Sequence, residues 1–113
     1  QGRLHGIASR VPVPDGSVVD LFVKLNRNVT VEEVDDLVRD AAESPRLSGI
    51  LAYSDRPIAS SDVIGNSHSS IYDRGFTAVT EGRYLRVLNW CDNEWGYSSR
   101  VCDVLAVMSK WTA

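Results

Sequence analysis

Three short strand-like segments follow one another in the second half of this 113-residue chain. Each is rich in β-branched and aromatic residues, and turn signals containing glycine separate them. They are residues 69–73, 76–80 and 84–90. Turns this short join only antiparallel neighbours, because a parallel pair needs a crossover of about a dozen residues or more. The pattern therefore argues against a doubly wound parallel sheet and predicts a mainly antiparallel one.

Two helices are predicted beside these strands. Thr30 and Glu33 have the spacing of a capping box, and an acidic first turn and an apolar stripe follow them. The last helix carries a second stripe, which we expect to face inward. Its members are Val101, Val104, Leu105, Met108 and Trp111.

Further strands are predicted at residues 4–11, 18–25 and 47–53, and the first two of these could be antiparallel neighbours. Residues 58–64 are expected to form an irregular edge or a short strand. About six strands in sequence-adjacent pairs with two helices predict an α+β fold. We expect a mainly antiparallel sheet that is covered by helices on one face.

Charge and composition argue against several classes of partner. The net charge is −3 with both signs scattered along the chain, which leaves no basic surface for nucleic acid or membrane lipid. No apolar run approaches the ~20 residues of a membrane span. The two cysteines and two histidines have no metal-binding spacing, and the cysteines make no disulfide framework. We expect no metal site and a reduced, cytoplasmic setting.

Residues 90–101 lie where the last strand gives way to the last helix, and they mix aromatic, acidic and amide side chains. Side chains at such a junction project from a rigid scaffold into a crevice, where α/β proteins usually bind ligands. Asp92 or Asn93 can cap the helix through a side-chain oxygen. From the sequence alone, Tyr97 is a half-buried aromatic residue whose hydroxyl meets water.

Arg10 is a second candidate binding residue. It ends a predicted strand and precedes two prolines, Pro12 and Pro14, which stiffen the backbone. Its planar guanidinium suits a pair of phosphate oxygens, although an arginine at a strand end is also a common surface salt-bridge partner. Cys91 precedes a helix start, a place where a thiolate can be stabilised, so its thiol is compared below with the family's nucleophile.

Three blocks of this sequence resemble the glyceraldehyde-3-phosphate dehydrogenase family, and they occur in the family's order. The blocks are D-N-E-W-G-Y-S-x-R-V at residues 92–101, R-V-P-x-P-x-x-S-x-x-D-L at residues 10–21, and S-S-D-x-I-G with H-S-S-I-Y-D within residues 60–73. The resemblance implies that residues 1–113 are the C-terminal portion of the catalytic domain, with the dinucleotide-binding domain absent. It also implies the same mainly antiparallel α+β fold.

The resemblance implies roles for three residues. Arg10 would bind the phosphate of a sugar-phosphate substrate, Asn93 would bond the nicotinamide carboxamide, and Tyr97 would line the nicotinamide pocket. An amide pairs well with a carboxamide because each offers a donor and an acceptor. The family's catalytic cysteine and histidine belong to blocks that this sequence lacks. We therefore expect no catalytic residue in the chain, and Cys91 stands where the family commonly has tyrosine.

The activity implied for the intact protein is oxidation of an aldose-phosphate aldehyde to an acyl phosphate with inorganic phosphate and NAD or NADP. The family also implies a homotetramer, and the 113 residues alone are expected to be inactive. Because no G-x-G-x-x-G motif is present, the choice between NAD and NADP stays open. An erythrose-4-phosphate dehydrogenase is an alternative, since W-C-D-N-E-W-G at residues 90–96 also occurs there. A non-catalytic assembly or binding module of the same fold is another.

Overall fold

The computed structural model describes residues 2–111 as a four-stranded mixed sheet with two α-helices. The strand order is β1-β4-β3-β2, in which β4 runs antiparallel to both neighbours and β2 runs parallel to β3. The elements are β1 Ser17–Lys24, α1 Val31–Glu43, β2 Leu51–Ser54, β3 Ser70–Thr80, β4 Tyr84–Cys91 and α2 Trp95–Met108, with 3₁₀ turns at Ser60–Asp62 and Ser109–Trp111. The predicted α+β class with a mostly antiparallel sheet is confirmed.

The strands β3 and β4 form a long hairpin at the centre of the sheet. Its turn places Glu81 and Gly82 at positive φ, 50° and 72°, and Arg83 N donates to Thr80 O at 3.2 Å. The two strands predicted at residues 69–73 and 76–80 are one continuous strand instead. The ladder is interrupted between Asp73 and Ala78 by a register shift, so the turn signal at residues 74–75 marks a bulge and not a strand end.

Helix α1 begins where the capping signal predicts. Thr30 Oγ1 accepts from Glu33 N at 3.1 Å, while the Glu33 carboxylate pairs with Arg27 at 2.6 Å and leaves the second half of the box open. The helix packs against β2 and β3. Val34, Val63, Ile71, Tyr72 and Leu88 are the buried apolar residues of the described range.

Three other predicted elements differ in the structure. Residues 4–11 have no regular secondary structure and are exposed, and they pair with no strand among residues 2–111, so their alternating pattern has no sheet to join. The strand predicted at residues 47–53 is shorter and begins later, as β2 Leu51–Ser54. The residues before it form turns, because backbone N–H groups of residues 47–51 donate back to residues 44–47. Residues 58–64 contain a 3₁₀ turn where a short strand was the alternative.

The expectation that the apolar stripe of α2 faces inward is wrong for the described part of the chain. Arg100 ties the helix to the segments that lead into β2 and β3 by donating to Gly49 O and Ser69 Oγ, each at 3.2 Å. On the C-terminal side of Arg100, nothing within residues 2–111 covers the helix. The stripe residues are exposed: Val101 42%, Val104 57%, Leu105 59%, Met108 52% and Trp111 81%. No helix in the described range is long and apolar enough to cross a membrane.

Candidate substrate and cofactor pocket

A pocket of about 210 Å³ lies between the segment that precedes β1 and the start of α2. Arg10 and Asn93 both line it, although 82 residues separate them in sequence. The remaining lining comes from Ser9, Val11, residues 13–17 and Glu94. Two of the three predicted binding residues therefore meet at one concave surface, which is built by a loop and a helix start on a rigid sheet.

Sheet register brings the two sides of this pocket together. Ser17 opens β1 and pairs with Cys91 at the end of β4, two residues before Asn93. The Ser17 hydroxyl donates to Asn93 Oδ1 at 2.9 Å. Ser17 is the serine of the R-V-P-x-P-x-x-S block, and that block was a usable signal for a contact that the sequence alone did not predict.

Gly16 sets the direction in which the chain enters β1. Its φ is +96°, a left-handed conformation that glycine adopts without steric cost. A Cβ at this position would lie 3.3 Å from the backbone oxygen of Ser60 and from a methyl group of Val63. The positive φ favours glycine here and the tight contact adds to this preference, and Ser17 follows directly in the chain.

Asp92 holds the start of α2 in place. Its buried carboxylate accepts backbone N–H groups from Gly65 at 2.8 Å, Glu94 at 2.9 Å and Trp95 at 2.7 Å. These bonds, first that of Trp95 and then that of Gly65, lower the pKa of Asp92 below its ordinary value. Asp92 therefore caps the helix, and the Asn93 amide is left available to the pocket.

Arg10 is exposed at the pocket. Its guanidinium makes no hydrogen bond or ion pair to any other residue of the described range, so the salt-bridge interpretation finds no partner there. The nearby Asp15 carboxylate accepts from Gly16 N at 2.7 Å. An unpaired guanidinium with five donors at the mouth of a polar pocket can bind an anion such as a phosphate.

Tyr97 does not line the pocket that Arg10 and Asn93 share. It lies in the first turns of α2, is 72% exposed, and borders a separate groove of about 300 Å³. That groove is lined by Arg100, Val101, Val104 and Leu105. The predicted role of Tyr97 in binding nicotinamide stays a prediction.

Gly96, close to Asn93 in the chain, allows a tight backbone contact. A Cβ on Gly96 would lie 3.0 Å from the backbone oxygen of His68, so glycine lets the first turn of α2 approach that strand entry closely. His68 itself hydrogen-bonds back to Asn66 through its backbone and its ring. Trp95, which precedes Gly96, is 56% exposed within the described structure.

The environment of Cys91 disfavours the thiolate that a nucleophile requires. Burial raises the pKa of its thiol, and the negative charges of Asp92 and Asp15 raise it further. Cys91 and Cys102 are both free thiols. No group of three or more acidic, histidine or cysteine side chains in residues 2–111 is arranged to hold a metal ion.

A larger pocket of about 560 Å³ lies on the α1 side of the sheet, lined by residues that include Arg39, Tyr53 and Arg74. Both arginines are already engaged. Arg39 lies over the Tyr53 ring at 4.9 Å and contacts Asp36, and Arg74 donates to the buried Asp35 at 2.7 Å. We assign this cluster to the packing of α1 and not to ligand binding.

Residues 1–93 match the family model described as "Glyceraldehyde 3-phosphate dehydrogenase, C-terminal domain". Over 111 residues the chain is 50% identical to the glyceraldehyde-3-phosphate dehydrogenase of Borreliella burgdorferi, covering 97% of the chain and 33% of that relative. It is 47% identical to that of Mycolicibacterium smegmatis and 48% identical to that of Mycobacterium leprae, each over 110 residues, 97% of the chain and 32% of the relative. The chain belongs to the glyceraldehyde-3-phosphate dehydrogenase family. It spans about a third of the length of these relatives.

Proposed function

We propose that residues 1–113 are the C-terminal portion of the catalytic domain of a phosphorylating glyceraldehyde-3-phosphate dehydrogenase. They would supply the substrate-phosphate side and the nicotinamide side of its active site. The observation that carries the proposal is that Arg10 and Asn93 line one pocket. The names of relatives that are 47–50% identical support the reaction class.

In this proposal Arg10 binds the phosphate of glyceraldehyde 3-phosphate. A guanidinium binds phosphate oxygens through two parallel charge-assisted hydrogen bonds. Because the phosphate is remote from the reacting aldehyde, this binding energy positions the aldehyde for attack by a nucleophile from the rest of the protein. The unpaired guanidinium of Arg10 suits this role.

Asn93 fits the carboxamide of a nicotinamide ring. Its Oδ1 has a second lone pair beyond the bond from Ser17, and its Nδ2 keeps both hydrogens. NAD or NADP, when bound, accepts the hydride that leaves the substrate, and inorganic phosphate then gives the acyl phosphate product. Asn93 would orient the ring, and Tyr97 would border it from α2.

The free cysteines support a reduced, cytoplasmic location. Exposed apolar residues on the edge strand β1, including Val19 at 57% and Phe22 at 64%, support burial against other protein surface. A homo-oligomer, a tetramer in the intact enzyme, is part of the proposal. Erythrose 4-phosphate is the second candidate substrate, which Cys91 within W-C-D-N-E-W-G favours.

The proposal is tested in a joined protein, in which this chain replaces the matching third of the Borreliella burgdorferi relative. Size-exclusion chromatography first establishes that the joined protein is folded and assembled as the unaltered relative is. Formation of reduced dinucleotide is then followed with glyceraldehyde 3-phosphate or erythrose 4-phosphate, each with NAD+ and NADP+. The proposal predicts activity that is highest on glyceraldehyde 3-phosphate and requires inorganic phosphate.

A preference for erythrose 4-phosphate would assign the second substrate. No activity on either aldehyde from a correctly assembled joined protein would overturn the dehydrogenase proposal and favour a non-catalytic assembly module.

A further inference from the structure

We propose that Ser17 is a positioning residue, which acts through Asn93 to fix the orientation of the amide that faces the pocket. This inference rests on the proposed function, since it concerns how the nicotinamide-binding amide is held. The observation behind it is the 2.9 Å hydrogen bond from the Ser17 hydroxyl to Asn93 Oδ1.

The hydrogen bond joins two parts of the chain that are 76 residues apart. The backbone of Asn93 is fixed from one side, because its neighbour Asp92 accepts three backbone N–H groups. Its side chain is fixed from the other side by Ser17, whose own place is set by the β1–β4 register. Asn93 is therefore held both at its backbone and at its side-chain amide.

The direction of the hydrogen bond has a chemical consequence. A hydroxyl that donates to Oδ1 favours the amide orientation with Nδ2 directed away from Ser17. Without that donor, the amide can rotate about its terminal torsion, whose energy profile is broad and roughly two-fold. A freely rotating amide must lose this freedom when a carboxamide binds, which weakens binding.

Ser9 offers a matched control for Ser17. It lines the same pocket and is exposed, and its hydroxyl makes no hydrogen bond to any residue that the structure describes. A serine-to-alanine change at Ser9 removes the same atom from the same pocket without touching Asn93. A threonine at position 17 keeps the hydroxyl, and threonine suits a strand.

The first test uses the 113-residue chain and does not depend on enzyme activity. We expect the side-chain amide resonances of Asn93 in a ¹⁵N–¹H spectrum to shift in Ser17→Ala. They should return towards their native positions in Ser17→Thr and stay in place in Ser9→Ala. Unchanged Asn93 resonances in Ser17→Ala would overturn the inference whatever the protein's reaction is.

The second test measures steady-state kinetics in the joined protein. In Ser17→Ala we expect the KM for the dinucleotide to rise about two- to tenfold, the effect of one net hydrogen bond, while the KM for the aldehyde is unchanged. Ser17→Thr should restore the native value, and the control Ser48→Ala, which changes an exposed serine outside the pocket, should match it. Equal KM values for the dinucleotide in Ser17→Ala and Ser48→Ala would overturn the role, while activity of the native joined protein would leave the proposed function intact.

Discussion

Replacing Tyr72 by phenylalanine should destabilise the chain more than any change of similar size on its surface. Tyr72 is 2% exposed, and its hydroxyl donates to Asp35 Oδ1 at 2.7 Å and also contacts Thr77 Oγ1. Burial raises the pKa of Tyr72, so the hydroxyl remains a protonated donor at any ordinary pH. In Tyr72→Phe the buried Asp35 carboxylate keeps, among residues 2–111, only the side-chain bond from Arg74.

The magnitude follows from the kind of bond that is lost. A hydrogen bond to a charged group contributes about 1.5–3 kcal/mol net. For a domain of this size, each kcal/mol lowers the melting temperature by roughly 4 °C, so Tyr72→Phe should melt about 6–12 °C lower. The measurement is thermal unfolding of the 113-residue chain, followed by circular dichroism.

Tyr84→Phe is the matched control for Tyr72→Phe. The Tyr84 ring stacks on Phe22 at 6.0 Å, which phenylalanine preserves, and its hydroxyl has no hydrogen-bond partner within the described range. Its unfolding free energy should change by less than ~0.5 kcal/mol. Equal melting temperatures for the two variants would refute the reasoning that the Asp35–Tyr72 bond holds α1 on the sheet.

Three further predictions concern the region around the pocket. The pKa of Asp92 is lowered in the folded chain, so its carboxylate adds stability above the unfolded-state pKa, and this stability is lost as pH falls through the folded-state pKa. Asp92→Asn should therefore unfold with less dependence on pH below about 4 in an acid titration. Gly96→Ala would place a Cβ 3.0 Å from a backbone oxygen, and the resulting steric strain should destabilise the fold by about 1–3 kcal/mol and lower the melting temperature. Gly6→Ala is its control and should leave the melting temperature unchanged, because open space surrounds that position. Iodoacetamide should label the exposed Cys102 faster than Cys91, because burial raises the pKa of the Cys91 thiol. Mass spectrometry of the two peptides measures the order of labelling, and faster labelling of Cys91 would contradict the prediction.

Local signals in the sequence predict local structure here. The start of α1 is predicted because the Thr30 cap and the acidic first turn lie within four residues of each other. The antiparallel hairpin of β3 and β4 is predicted because turn length alone restricts the pairing. The split of β3 into two strands was wrong for a local reason, since Arg74 and Gly75 have the composition of a turn and form a bulge.

The sequence does not predict which faces are buried or which strands pair, because both depend on elements that are distant in sequence. The periodicity of α2 correctly predicts a helix with an apolar stripe, but periodicity does not say whether a surface covers that stripe. Residues 4–11 have a strand-like alternation and no partner strand within residues 2–111. The same limit applies to strands and helices that need a non-local neighbour.

The candidate pocket was predicted in part. Arg10 and Asn93 were named from motifs, and their meeting at one pocket follows from the fold. The sequence left the helix cap open between Asp92 and Asn93, and the buried carboxylate of Asp92 decides it. Ser17 was missed because its contact with Asn93 depends on the register of two strands that are far apart in sequence.

The most direct measurement of the central claim is kcat/KM for glyceraldehyde 3-phosphate in the joined protein with Arg10→Ala. Arg3→Ala is its control, since Arg3 is also exposed in the segment before β1 but does not line the pocket. Losing a charge-assisted bond to phosphate should lower kcat/KM by about 10- to 100-fold in Arg10→Ala, with little change in Arg3→Ala. Equal kcat/KM values for the two variants would contradict the account, because the phosphate would then be held by residues other than those of this pocket.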